Sequence, residues 1–155
     1  MNDAATITAE PLNEGGFAPF GELITATEHP GRRRTDAAVD FADGRRLVLS
    51  TTHVAPSELP IRVTELERHP FSSQTFVPLS VERWLLIVST SLDVTDVRAF
   101  VAGPGIGVTI GRGVWHHGLT VLDGPGRFAV LMGKDGATDD ERAAVPPFTV
   151  RVTQS

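Results

Sequence analysis

Two stretches of this sequence gather side chains that can move protons or hold a ligand. The first is Glu65-Leu66-Glu67-Arg68-His69-Pro70, followed after a short polar turn by Gln74-Thr75-Phe76-Val77-Pro78. In an extended strand alternate side chains share a face, so Glu65, Glu67 and His69 fall on one side and Arg68 on the other. Past the turn at 70–73, Gln74 and Phe76 can return toward the same interior. The second stretch runs from Gly107 to His117 and reads as a strand, a turn at Gly111-Arg112-Gly113, then Trp115-His116-His117. Successive strand residues face opposite ways, so at most one of the paired histidines enters the core. A carboxylate and imidazoles on a common face suit acid–base work or ligand binding. Trp115 reads as core packing.

The composition leaves few other routes to chemistry. The chain has no Cys and no Tyr, and its one Lys, Lys134, lies in the turn-like Gly133-Lys134-Asp135-Gly136. Disulfides, thiolate nucleophiles and Cys-ligated metal centres are therefore excluded, and a buried Schiff-base lysine is disfavoured. What remains is carboxylates and five histidines, at 29, 53, 69, 116 and 117. Lys+Arg is 14 against 19 Asp+Glu, a net charge of −5, and the basic residues are scattered apart from 32–34 and 45–46. That pattern speaks against nucleic acid, where phosphate neutralisation dominates affinity. A small anionic substrate fits better, because one or two Arg forks can bind a carboxylate. Arg112 and Arg34 are the candidates here.

These residues must be positioned by short strands. Gly and Pro cut the chain into pieces such as 46–52, 61–64, 75–79, 84–88, 97–101, 107–110, 119–122, 128–132 and 148–152. Many short strands with Gly/Pro turns predict an all-β sandwich or barrel. One or two short helices are expected, at 13–21 with Asn13 as N-cap and Gly21 as C-cap, and at 138–142. The polar, Arg-rich stretch 27–44 is expected to be a mobile loop that could cover a site. The 155 residues suffice for one domain, 1–155. The longest apolar run, 84–88, is far too short to cross a bilayer, and the first residues lack the features of a signal peptide. No membrane association and a cytoplasmic location are expected.

The spacing Glu67-x-His69-x4-Gln74 followed by Gly113-x2-His116 resembles the two motifs of the cupin superfamily. That resemblance implies a double-stranded β-barrel with the four side chains pointing inward to hold a divalent metal. A mixed set of Glu67, His69, Gln74 and His116 suits Ni, Mn, Zn or Fe. A closer resemblance lies in the wording. Glu65-Leu66-Glu67-Arg68-His69-Pro70 with Gln74-x-Phe76-x-Pro78, Arg98-Ala99-Phe100, Gly107-Val108 and Trp115-His116-His117 are similar to the signature of the ureidoglycolate lyase family. The opening Phe17-Ala18-Pro19-Phe20-Gly21-Glu22-Leu23-Ile24 resembles that family's N-terminal segment.

This second resemblance implies a cupin-type homodimer that releases urea from (S)-ureidoglycolate to give glyoxylate. It implies Glu67, His69 and His116 as catalytic residues and Gln74 as a partner of the ureido group. A metal is either not required or is held by the four residues above. Thr109-Ile110-Gly111, Gly118 and His53 depart from the family pattern. They keep two alternatives open: another small-molecule cupin enzyme, such as a metal-dependent isomerase or dioxygenase, or a ligand-binding cupin.

Overall fold

A computed structural model describes residues 4–136 and 140–153 of the chain. Twelve strands run in order: β1 (Ala5–Pro11), β2 (Gly21–Ile24), β3 (Arg46–Val54), β4 (Ile61–Arg68), β5 (Gln74–Ser80), β6 (Arg83–Ser89), β7 (Val97–Ala102), β8 (Gly107–Ile110), β9 (Trp115–His116), β10 (Thr120–Leu122), β11 (Gly126–Lys134) and β12 (Glu141–Val152). Between β1 and β2 lies a single helical turn, α1 (Glu14–Phe17), and two 3₁₀ turns sit at Asp36–Val39 and Val94–Asp96. The expected all-β barrel with short helical turns is the fold observed. Among the described residues no helix is long and apolar enough to cross a membrane.

The strands β6–β7–β1–β12–β4–β9 form a ring that closes because β9 also pairs with β6. A second sheet, β2–β8–β5–β11–β3, lies beside this barrel. Period-2 alternation splits the apolar residues into two cores. Leu85 and Ile87 of β6, Val97 and Ala99 of β7, Ile61, Val63 and Leu66 of β4, and Phe148 of β12 fill the barrel. Trp84, Leu86, Val88 and Phe100 face the other way and meet Phe76, Val108, Ile110 and Phe128 of the second sheet. Strand β6 is therefore buried on both faces, which is why Trp84-Leu85-Leu86-Ile87-Val88 reads as an unbroken apolar run.

Three local outcomes differ from the sequence expectation. Asn13 does cap α1, its Oδ1 accepting from the Gly16 N–H at 2.7 Å, but the helix ends at Phe17 with Ala18 as its C-cap. Gly21 instead opens β2, opposite Ile110 of β8. The approach is so close that a Cβ on Gly21 would lie 1.8 Å from the Thr109 carbonyl oxygen. Glycine serves backbone contact here rather than a helix end. For the expected helix at 138–142, Thr138 and Asp139 lie outside the described residues. Glu141 and Arg142 are strand, because they pair with Arg68 and Glu67 of β4. Finally, β1 forms where the sequence shows no strand pattern. Its small and polar residues are mostly exposed, and it is held by parallel pairing to β12 and β7.

The stretch 27–44 is in part pinned down. The Ala42 N–H donates to the Phe71 carbonyl at 2.9 Å, and the Ser73 N–H to the Asp40 carbonyl at 2.8 Å. Thr75 Oγ1 donates to the Ala38 carbonyl at 3.1 Å.

Candidate functional site

The site forms where the end of β4 meets β9. Glu67 is the cross-strand partner of His116, and His116 is in turn opposite Val88 of β6. Val88 belongs to the core between the barrel and the second sheet, so His116 faces that space. Leu66 and Trp115, one residue earlier on each strand, point into the barrel instead. His69 follows β4 directly. Its carbonyl accepts from the Gly113 N–H at 3.0 Å, which ties the β8–β9 turn to the end of β4. Gly113 has φ +73°, the left-handed conformation that favours glycine in this turn.

Glu67, His69 and His116 each present one ligand atom, and these atoms lie within 4.8 Å of one another. The two imidazole rings are 5.1 Å apart between centroids. His69 is 5% and His116 2% exposed. The His116 ring is fixed by its Nδ1–H, which donates to the Val114 carbonyl at 3.0 Å. A carbonyl can only accept, so in the neutral ring the lone pair sits on Nε2. His69 Nδ1 lies 2.8 Å from Asp140 Oδ1, and a carboxylate likewise draws the N–H to that side. Among the described residues both Nε2 atoms are buried without a hydrogen-bond partner, as are Gln74 Oε1 and Trp84 Nε1. Native interiors rarely leave buried polar atoms unpaired, so the two neighbouring Nε2 atoms mark a place built for a ligand.

Burial pushes the His116 imidazole down to about 4 and outweighs the opposing effect of the Val114 hydrogen bond. His69 lowers it further. Glu67 Oε1 lies 3.7 Å from His116 Nε2, yet at neutral pH His116 is uncharged and the contact is no ion pair. Burial also lowers the pKa of His117, whose backbone N–H donates to the Ile87 carbonyl at 3.0 Å.

The structure brings together part of the set picked from the sequence. Glu67, His69 and His116 converge. Gln74 shares a face with Phe76 of the inter-sheet core, the space that His116 also faces. Arg68 lies on the opposite side, with its guanidinium 4.5 Å above the Trp115 ring. Arg34 is at the surface, paired with Asp36 at 2.9 Å. Arg112 reaches the Pro70 carbonyl at 3.4 Å and Asp40 at 3.6 Å. Neither arginine, nor any residue of 27–44, lines the pocket of about 300 Å³ that opens beside Glu67. Its charged walls are Arg62, Arg142, Glu65 and Glu67, with His116 and His117 adjoining.

Sequence reasoning missed two contributors, Asp140 and Arg142. Asp140 holds His69 across 71 residues of sequence. Arg142 stands opposite Glu67 in the β4–β12 ladder. No local pattern announces either residue, and only the pairing of β12 with β4 reveals them.

A family model described as ureidoglycolate lyase matches residues 4–152. A ureidoglycolate lyase of Burkholderia mallei is 38% identical over 150 residues, 88% of each chain. One of Mesorhizobium japonicum is 36% identical over 148 residues, covering 87% of this chain and 91% of that one. Among solved structures, a dTDP sugar isomerase from Desulfovibrio desulfuricans G20 aligns at a TM-score of 0.47 and 18% identity, over 80% of this chain and 82% of that one. The family match runs through the whole described barrel, including the strands that carry Glu67, His69 and His116, and the chain belongs to the ureidoglycolate lyase family, a family of enzymes.

Proposed function

We propose that this protein cleaves (S)-ureidoglycolate to urea and glyoxylate, with Glu67, His69 and His116 as its catalytic residues. The observation that carries this reading is the convergence of one carboxylate and two imidazole lone pairs on a single space. Ureidoglycolate is a carbinolamide. The hydroxyl proton leaves, the C–N bond breaks as the carbonyl forms, and the departing urea nitrogen gains a proton. The net change is one proton moved from oxygen to nitrogen, which a single carboxylate can carry out. Glu67 takes the hydroxyl proton and returns it to the nitrogen. The Nε2 lone pairs of His69 and His116 accept hydrogen bonds from the ureido N–H groups and orient the bond to be broken. Gln74 supplies an amide partner to the same group.

The donor set also fits a divalent first-row cation. Two imidazoles, each fixed by a hydrogen bond from its other nitrogen, and one carboxylate are a common ligand arrangement. Glu67, His69 and His116 would hold the ion, with Gln74 nearby. When bound it would supply Lewis acidity toward the substrate hydroxyl or carboxylate. The reading carries with it a small anionic substrate, a homodimer and a cytoplasmic setting.

Incubation with racemic ureidoglycolate tests the activity. Equal amounts of urea and glyoxylate should appear, and one enantiomer should remain. Binding without release of urea would instead favour a ligand-binding cupin. Asp140 fixes His69, so Asp140→Ala should lower turnover by about 10- to 100-fold, as loss of such orienting partners does. Wild-type turnover in that variant would show that His69 acts without Asp140.

A further inference from the structure

An α-hydroxy acid places its carboxylate on the carbon that bears the reacting hydroxyl. The cation that receives this carboxylate must therefore sit close to the group that takes the hydroxyl proton. That condition sorts the arginines. Arg34 and Arg112 are engaged elsewhere and do not line the pocket. Arg62 does, but it lies five residues before Glu67 on β4, about 16 Å along an extended strand. Arg142 stands directly opposite Glu67 in the ladder, with its NH2 group 3.8 Å from Glu67 Oε2.

The hold on Arg142 is loose. Its NH1 group is 3.4 Å from Glu65 Oε1, and its side chain is 61% exposed at the pocket mouth. Among the described residues these two long, single contacts leave most of the five N–H donors of the guanidinium unspent. The fork geometry suits a carboxylate. From this juxtaposition, and resting on the function proposed above, we propose that Arg142 is the carboxylate anchor of the site. It selects anions whose carboxylate adjoins the reacting carbon. Glu65 and Glu67 hold the guanidinium in place until the substrate's carboxylate takes its free edge.

Glycolate and glycolamide test this without turnover, because they are nearly isosteric and differ in charge. Their affinities would be measured by NMR titration for the wild type, Arg142→Ala, Arg142→Lys and Arg62→Ala. The wild type should prefer glycolate by about 10- to 100-fold, the range of a charge-assisted hydrogen-bonded contact. Arg142→Ala should lose that preference, Arg142→Lys should recover part of it, and Arg62→Ala should keep it. With ureidoglycolate, Arg142→Ala should raise KM by a similar factor and change kcat less. The proposal is overturned if the wild type shows no preference, if Arg142→Ala retains it, or if Arg62→Ala removes it. Should the wild type release no urea yet show the Arg142-dependent preference, the anchor stands and the lyase reading falls.

Discussion

Glu67→Gln reduces urea release by a factor of about 10² to 10⁴, the usual range for loss of a positioned acid–base group. The substitution is nearly isosteric, and the ladder contacts of Glu67 with Arg142 and His116 are backbone pairings that Gln preserves. The folded state should therefore survive, with an unfolding midpoint close to that of the wild type. What disappears is the charged, basic carboxylate that lies within 4.8 Å of a ring nitrogen of each histidine and 3.8 Å from the Arg142 guanidinium. An amide cannot take the hydroxyl proton, so kcat should fall far more than KM rises. His69→Ala should also abolish turnover by removing one of the two fixed lone pairs. Near wild-type release in both variants would take the chemistry away from this cluster.

The second large effect is on stability against pH. In the folded protein burial holds the His116 pKa at about 4, against 6.5 for an unperturbed imidazole. Above pH 6.5 the ring is neutral in both the folded and unfolded chain and contributes no pH dependence. Between 6.5 and 4 the unfolded chain takes up a proton that the folded site refuses, so stability falls as pH falls. Below about 4 both states are protonated and the loss levels off. The span corresponds to about 3 kcal/mol. Thermal unfolding of chelator-treated protein should show this loss between pH 6.5 and 4. In His116→Asn, whose amide can still donate to the Val114 carbonyl, that component should be absent. An equally steep loss in the variant would show that the buried imidazole is not its source.

Much of the barrel is legible in the sequence because its strands obey simple rules. Alternating Ile61-Arg62-Val63-Thr64 marks a strand with one face in a core. The continuous run 84–88 marks β6, which serves two cores at once. Glu67 and His69 could be placed on one face, with Arg68 on the other, from the period of the strand alone. The misses share a cause, since each depends on a partner distant in the chain. Strand β1 has little apolar signal of its own and exists through its parallel neighbours. Gly21 reads as a helix stop until its backbone is seen against Thr109. Glu141 and Arg142 have the charged character of a helix start, yet pair with Arg68 and Glu67 across the β4–β12 ladder. Asp140 and Arg142, the groups that fix His69 and border Glu67, were invisible for that reason. Arg34 and Arg112 attracted notice through local clustering and turn context, which say nothing about which pocket a side chain reaches.

A crystal structure of the Glu67→Gln protein with ureidoglycolate bound would show directly whether the substrate lies in this cluster. The ureido group should lie against Nε2 of His69 and His116, the hydroxyl toward residue 67, and the carboxylate within hydrogen-bond distance of Arg142. Substrate ordered elsewhere on the protein, with both Nε2 atoms left out of its contacts, would contradict it.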